Sequence, residues 1–170
     1  MRTAPLFRRI LVRAAPLLLA AGCTPQVNPG EDYALLRCPP AGAAMAEMEI
    51  GPAGDVLRVR GHTFSLPSDA VGRQIRFRVR DRHTGYAGVD IEPHGTRFDA
   101  PAELTLSYAG CELPAGFEPI IVEVLPGTTT IVGRPEITRR DPAARTVTAR
   151  LPHLSGYLVG GNRAGEEEGN

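Results

Sequence analysis

Residues 73–80 read RQIRFRVR, and three apolar side chains alternate strictly with polar ones along this stretch. Ile75, Phe77 and Val79 fall on one side of an extended chain, and the polar residues between them fall on the other. A period of two is typical of a β-strand with one face in a core and the other in solvent. The stretch therefore predicts a half-buried strand.

Similar short runs lie on both sides of this stretch and are separated by residues that form turns. The runs include DVLRV, TFSL, GVDIE, AELTLSY, IIVEV, RTVTARL and SGYLVG, and the turns include PSDAVG, EPHG, LPAG and LPGT. No run has the spacing of a long amphipathic helix. Short alternating strands with frequent turns predict an all-β fold, an antiparallel two-sheet β-sandwich over residues 45–160.

The N-terminus has the pattern of a bacterial secretory signal peptide over residues 1–22. MRTAPLFRRILVR carries four arginines and no acidic residue, a short apolar run follows, and the segment ends at Gly22. The apolar run is shorter than the roughly 20 residues that a membrane-spanning helix requires. The sequence therefore predicts a protein that is anchored to a membrane or secreted.

The end of this segment, LAAGC at residues 19–23, resembles the lipobox of bacterial lipoproteins. In that family the cysteine thiol is diacylated and becomes the first residue of the mature chain. The resemblance implies lipidation of Cys23 and a lipid-anchored place on the extracytoplasmic side of a membrane in the bacterial cell envelope. More than one acyl chain gives stable anchoring, because each buried methylene contributes about 0.8 kcal/mol. The alternative is an ordinary secreted protein that is cleaved near Ala21.

Two segments flank the predicted sandwich and lack its alternation. Residues 23–44 are rich in turn formers and predict a tether, with a short ordered piece at residues 33–36. Residues 161–170, GNRAGEEEGN, predict a disordered polar tail. Four of the 19 arginines lie in the signal peptide, so the mature chain has 15 arginines against 19 acidic residues and no lysine. This acidic balance argues against nucleic-acid binding.

Three stretches of the predicted sandwich resemble, in order, the bacterial extracytoplasmic form of the ZU-five domain. They are IGPAGDVLRVRGHTFSLPSDAVG at residues 50–72, IEPHGTRFDAPAELTLSYAGC at residues 91–111 and RTVTARLPHLSGYLVG at residues 145–160. The resemblance implies the β-sandwich of that family. Asp55, the pair Ser68 and Asp69, and Leu154 depart from its usual pattern.

The third stretch also resembles a self-cleavage site. Some eukaryotic ZU-five domains cut themselves between Phe and Ser of His-Phe-Ser, and this chain has His153, Leu154 and Ser155. The resemblance implies Ser155 as nucleophile, His153 as base and Leu154–Ser155 as the bond that is cut. The alternative is an ordinary closing strand, with a bend at Ser155 and Gly156.

Cys38 and Cys111 are the two cysteines that remain beside Cys23. In an exported protein two such thiols are candidates for one disulfide, which would join the tether to the sandwich. The alternatives are two free buried thiols or metal ligands.

Arg76, Arg78 and Arg80 share one face of the predicted strand. They form a candidate binding face for an anionic polysaccharide or a lipid headgroup, and Arg58 and Arg60 share a face of another strand. The alternative is a solvated face whose arginines pair with acids such as Glu103 or Glu123.

The four histidines lack metal-ligand spacing, and no nucleophile elbow, phosphate loop or zinc motif is present. We therefore expect no cofactor and no metal, and a non-catalytic interaction or structural module of the cell envelope. Self-cleavage and envelope polysaccharide binding are the alternative functions.

Overall fold

The computed structural model describes residues 33–82 and 85–162, and within them it contains strands and turns but no helix. Twelve strands form two antiparallel sheets. The predicted all-β, two-sheet sandwich is confirmed. The strands are β1 (Tyr33–Leu35), β2 (Met45–Ile50), β3 (Asp55–Val59), β4 (His62–Leu66), β5 (Ile75–Asp81), β6 (Gly88–Glu92), β7 (Arg97–Ser107), β8 (Ile120–Val124), β9 (Ile131–Gly133), β10 (Glu136–Asp141), β11 (Thr146–His153) and β12 (Gly156–Asn162).

The first sheet has the order β2-β5-β6-β12-β8-β9, and β1 also pairs with β12. The second sheet has the order β10-β11-β7-β4-β3. The stretch that alternates most regularly in sequence is β5, whose Phe77 and Val79 are 0% and 1% exposed. The period of two therefore identified both the strand and its buried face.

Three phenylalanine rings fill the space between the two sheets. Phe64 lies on β4, Phe77 on β5 and Phe98 on β7, and the ring centroids are 5.8 to 6.4 Å apart with tilted planes. Each buried phenylalanine stabilises the folded state by roughly 1.5 to 3 kcal/mol through area removed from water. Phe64 and Phe77 are fully buried and Phe98 is half-buried, while Tyr108 and Tyr157 add two further buried aromatic side chains to the core.

The sandwich extends beyond residues 45–160 at both ends. Tyr33–Leu35, inside the segment predicted as a tether, pairs with the end of β12, and Leu36 donates its backbone N–H to Val159 O at 2.9 Å. β12 itself continues to Asn162, inside the predicted tail. The short ordered piece predicted at residues 33–36 is thus a strand of the first sheet. Cys23, with the rest of residues 1–32, and residues 163–170 lie outside the described residues.

A disulfide joins Cys38, just after β1, to Cys111 in the turn that follows β7, with Cα atoms 4.5 Å apart. The predicted pairing of these cysteines is confirmed, and the readings as free thiols or metal ligands are wrong. The bridge spans 73 positions of sequence and links the first sheet's N-terminal strand to the second sheet. It therefore holds the chain that leaves β1 against the sandwich.

We expect the double variant C38S/C111S to lose about 4 kcal/mol of unfolding free energy, because the bridge closes a long loop in the unfolded chain. Urea denaturation of the two purified proteins measures the difference. Dithiothreitol should destabilise the wild type by the same amount and leave the variant unchanged. Equal urea midpoints would contradict a stabilising role for the bridge.

Candidate functional site

Residues 153–156 form the corner where the chain passes from the second sheet to the first. β11 ends at His153, and β12 begins at Gly156. Leu154 and Ser155 between them are 1% and 6% exposed. The predicted self-cleavage triplet is therefore a buried connection between the sheets.

The two side chains that self-cleavage would use both reach β8 instead of each other. His153 Nε2 lies 2.8 Å from Glu123 Oε1, and the Ser155 hydroxyl donates to Val124 O at 3.0 Å. An activated serine needs a base within about 2.6 to 3.2 Å. Among the hydrogen bonds of residues 33–82 and 85–162, none joins His153 to Ser155, so the hydroxyl has no base in this arrangement.

The Leu154 peptide is also fixed on both sides. Its N–H donates to Thr96 O, and its carbonyl oxygen accepts from Gly95 N–H, both at 2.9 Å. The Tyr157 hydroxyl donates to His153 O at 2.6 Å, and burial, with the nearby Glu123 charge as a smaller cause, raises the pKa of that phenol. Attack on the Leu154 carbonyl would first require Ser155 to leave Val124.

Gly156 packs against a buried ion pair formed by Arg82 and Asp90. Arg82 Nη2 donates to Asp90 Oδ1 at 3.0 Å. Arg82 Nε lies 2.8 Å from Asp90 Oδ2 without a hydrogen-bonding alignment. A Cβ on Gly156 would lie 2.7 Å from Asp90 Oδ1, 2.9 Å from Val124 Cγ2 and 3.0 Å from Arg82 Nη2. The glycine after Ser155 is therefore required by the ion pair and by the Val124 side chain.

Arg76, Arg78 and Arg80 lie along one face of β5, as predicted, but each is within 4 Å of a carboxylate. The partners are Glu47 and Glu49 on β2 and Glu92 on β6, with N to O distances of 2.9 to 3.7 Å. Glu47 and Glu92 also raise the pKa of the Arg78 guanidinium, chiefly through the hydrogen bond that Arg78 donates to Glu47. Three arginines and three glutamates form an ionic ladder of zero net charge.

The acids that pair with these arginines are not the ones that the sequence analysis named. Glu103 lies on β7 in the second sheet, and Glu123 pairs with His153. Strand order decides which residues are neighbours, and the sequence pattern did not give the order. The prediction of Glu103 and Glu123 as partners is therefore wrong, while pairing with acids is observed.

Arg58 and Arg60 do not share a strand face. Arg58 donates to Thr63 Oγ1 at 2.9 Å, whereas Arg60 follows the end of β3 in the left-handed conformation, at φ 51°, and forms an ion pair with Asp81. His62, which is 6% exposed, accepts the Ser107 N–H at Nδ1 and lies 3.6 Å from Asp81 at Nε2. These contacts join β4 and β7 to β5, so His62 connects the two sheets.

An apolar cleft of about 360 Å³ lies between β1 and the loop that follows the disulfide. Its walls include Leu35 and Leu36 on one side and Pro114 and Phe117 on the other. The sequence pattern did not indicate this cleft, because its two sides are almost eighty residues apart. The disulfide beside it keeps the two sides together.

Neither a metal-binding cluster nor a membrane-crossing helix is found in the part of the chain that the structure describes. No group of three or more histidine, cysteine or acidic side chains there is arranged to hold an ion. No helix there has the length and apolarity needed to cross a bilayer.

No known family model matches this chain, and no curated protein is significantly similar to it. The resemblance to the ZU-five domain therefore stays a prediction from the three sequence stretches, whereas the two-sheet architecture is shown by the strand topology.

We expect the G156A variant to lose about 2 kcal/mol of unfolding free energy or more, because its Cβ would crowd both the Arg82–Asp90 pair and the Val124 side chain. G72A is the matched control, since a Cβ at Gly72 meets no atom within 4 Å. That variant should change the unfolding free energy by less than about 1 kcal/mol. Equal losses in the two variants, measured by urea denaturation, would refute the steric explanation.

We expect the purified protein to remain uncleaved at Leu154–Ser155, because the serine hydroxyl is bonded to Val124 O. Intact-mass spectrometry after prolonged incubation at neutral pH should show no fragment beginning at Ser155. S155A should likewise give one uncleaved species at its own intact mass. It should lose about 1 kcal/mol of unfolding free energy, since the Val124 carbonyl loses its donor. A Ser155 fragment in the wild type, absent from S155A, would establish self-cleavage instead.

Proposed function

We propose that this protein is an extracytoplasmic lipoprotein whose β-sandwich is a non-catalytic interaction module held at a membrane surface of the bacterial envelope. The observation that carries the proposal is the bridge between Cys38 and Cys111. Disulfides form and persist in exported proteins, so the bridge supports secretion through the predicted signal peptide.

The cysteine count supports the position of the anchor. The chain has three cysteines, and two of them form the bridge. Cys23 is the cysteine left with a thiol, and it ends the stretch that resembles a lipobox. Lipidation there would place an acylated residue ten positions before β1, which is paired with β12. A short tether of this kind would keep the sandwich close to the membrane.

The state of the polar side chains supports an interaction role over a catalytic one. At the corner, Ser155 and His153 are each bonded to β8, and on β5 the arginines are matched by glutamates. Such groups stabilise a surface or a corner and leave no nucleophile with a base at these positions. A sandwich with an apolar cleft beside β1 is suited to presenting a binding surface.

We expect metabolic labelling with an alkyne fatty acid to mark the wild-type protein and to fail in C23A, because the thiol is the acylation site. Membrane fractionation should show the wild type in the membrane pellet and C23A in the soluble exported fraction or retained with its signal peptide.

The variant C38S/C111S is the matched control, since it also removes cysteines but keeps Cys23. It should retain the label. Persistence of the label in C23A would exclude Cys23 as the lipidation site, and absence of label in the wild type would overturn the lipoprotein proposal.

A further inference from the structure

The outer face of the second sheet is unusually rich in short hydroxyl side chains. On its three central strands these residues alternate with buried ones such as Phe64, Leu104 and Val147, so they point away from the core. We call this surface the hydroxyl face; its members are Thr63, Ser65, Thr105, Ser107, Thr146 and Thr148.

Strand register places the hydroxyls in rows across the sheet. Thr63 is opposite Thr105, Thr105 is opposite Thr148, and Ser107 is opposite Thr146. The hydroxyls of Thr105 and Thr148 are 2.9 Å apart and hydrogen bonded. Thr148 is only 4% exposed, and the Thr63 hydroxyl already accepts from an arginine on β3. Neighbouring strands are about 4.8 Å apart, so the half-buried hydroxyls form regular rows of donors and acceptors on short side chains.

A cleft of about 390 Å³ lies at one end of the hydroxyl face. It is lined by Ser65, Pro67, Ala100, Pro101, Glu103 and Arg150. Glu103 stands between Ser65 on β4 and Arg150 on β11 in the strand register. The cleft therefore combines a hydroxyl, a carboxylate, a guanidinium and the carbon surface of two proline rings.

The two charges of the cleft are weakly engaged within the protein. The Glu103 backbone belongs to the strand ladder, but its carboxylate makes no hydrogen bond and no ion pair with any of the described residues. The Arg150 guanidinium is 3.8 Å from Glu136, and the two side chains are 54% and 69% exposed. The glutamates on the opposite face of the molecule, by contrast, are all engaged in the ionic ladder. Glu103 and Arg150 are thus available to a ligand.

We propose that this cleft and the hydroxyl face bind a neutral polysaccharide. Carboxylate and guanidinium groups accept from and donate to sugar hydroxyls, and the proline rings can contact the CH side of a sugar ring. Charges of opposite sign in the cleft favour a neutral ligand over an anionic one. The biological setting rests on the proposed envelope location, since glycans are available there, whereas binding by the purified chain does not depend on the anchor.

A second copy of the chain is a poorer occupant for the same surface. Stable homodimer interfaces have an apolar centre, and the centre of this face consists of threonine and serine. An extended peptide would add to a sheet edge through its backbone and not to a sheet face. The chemistry of the face therefore favours a ligand that is itself rich in hydroxyls.

Isothermal titration of the purified full chain with cellohexaose and with chitohexaose, two neutral oligosaccharides, tests the proposal. The wild type should bind at least one of them, and E103Q/R150Q should bind it about tenfold more weakly or worse, a loss of contacts equivalent to about 1.4 kcal/mol. E49Q/R76Q is the matched control, because it removes one carboxylate and one guanidinium from the opposite sheet. It should bind like the wild type, and circular dichroism should show both variants folded.

Four outcomes would overturn the proposal. The first two are no binding of either neutral oligosaccharide, and tighter binding of heparin than of the neutral ligands. The third is an equal loss of oligosaccharide affinity in the two double variants. The fourth is concentration-dependent self-association of the chain without oligosaccharide binding. The labelling of Cys23 tests the lipoprotein proposal separately. A protein that binds oligosaccharide but is not acylated would keep this inference and remove the anchor.

Discussion

The backbone ladder of β12 is the interaction on which the rest of the structure depends. This strand pairs with β6 over residues 156–158, with β8 over residues 156–160 and with β1 over residues 160–162. Six of its seven residues are buried. It follows directly from the corner at residues 153–156, where the chain leaves the second sheet. A change at this strand would therefore disturb the sheet centre, the corner and the attachment of the N-terminal segment together.

The two outer faces of the sandwich have different physical characters. On the first sheet, β2, β5 and β6 carry an ionic ladder that satisfies its own charges, and exposed pairs of this kind contribute little to stability. On the second sheet, short hydroxyl side chains leave the backbone layer close to solvent. A surface of short side chains beside the weakly engaged charges of Glu103 and Arg150 is better suited to contact with an external ligand than one whose charges are already paired.

The triplet His153, Leu154 and Ser155 shows that one short sequence is compatible with different roles. Considered alone, the three residues resemble a self-cleavage site. In the fold, each of the three is bonded to residues that are distant in sequence. His153 contacts Glu123, the Leu154 backbone bonds to Thr96 and Gly95, and Ser155 donates to Val124. The sequence supplied the candidate residues, but the direction of the serine hydroxyl depends on which strand lies beside the corner.

By itself the sequence predicted the fold class and the strands with regular alternation, because side-chain period is a local property. It offered the pairing of Cys38 with Cys111 as one of three readings, which the tertiary structure decided. It also indicated that the arginines of β5 would pair with acids. Only the tertiary structure decided which acids those are, that residues 33–35 join the first sheet, and that Ser65, Glu103 and Arg150 meet in one cleft. These outcomes depend on strand order and register, which arise from long-range backbone pairing and are not encoded in the period of any one segment.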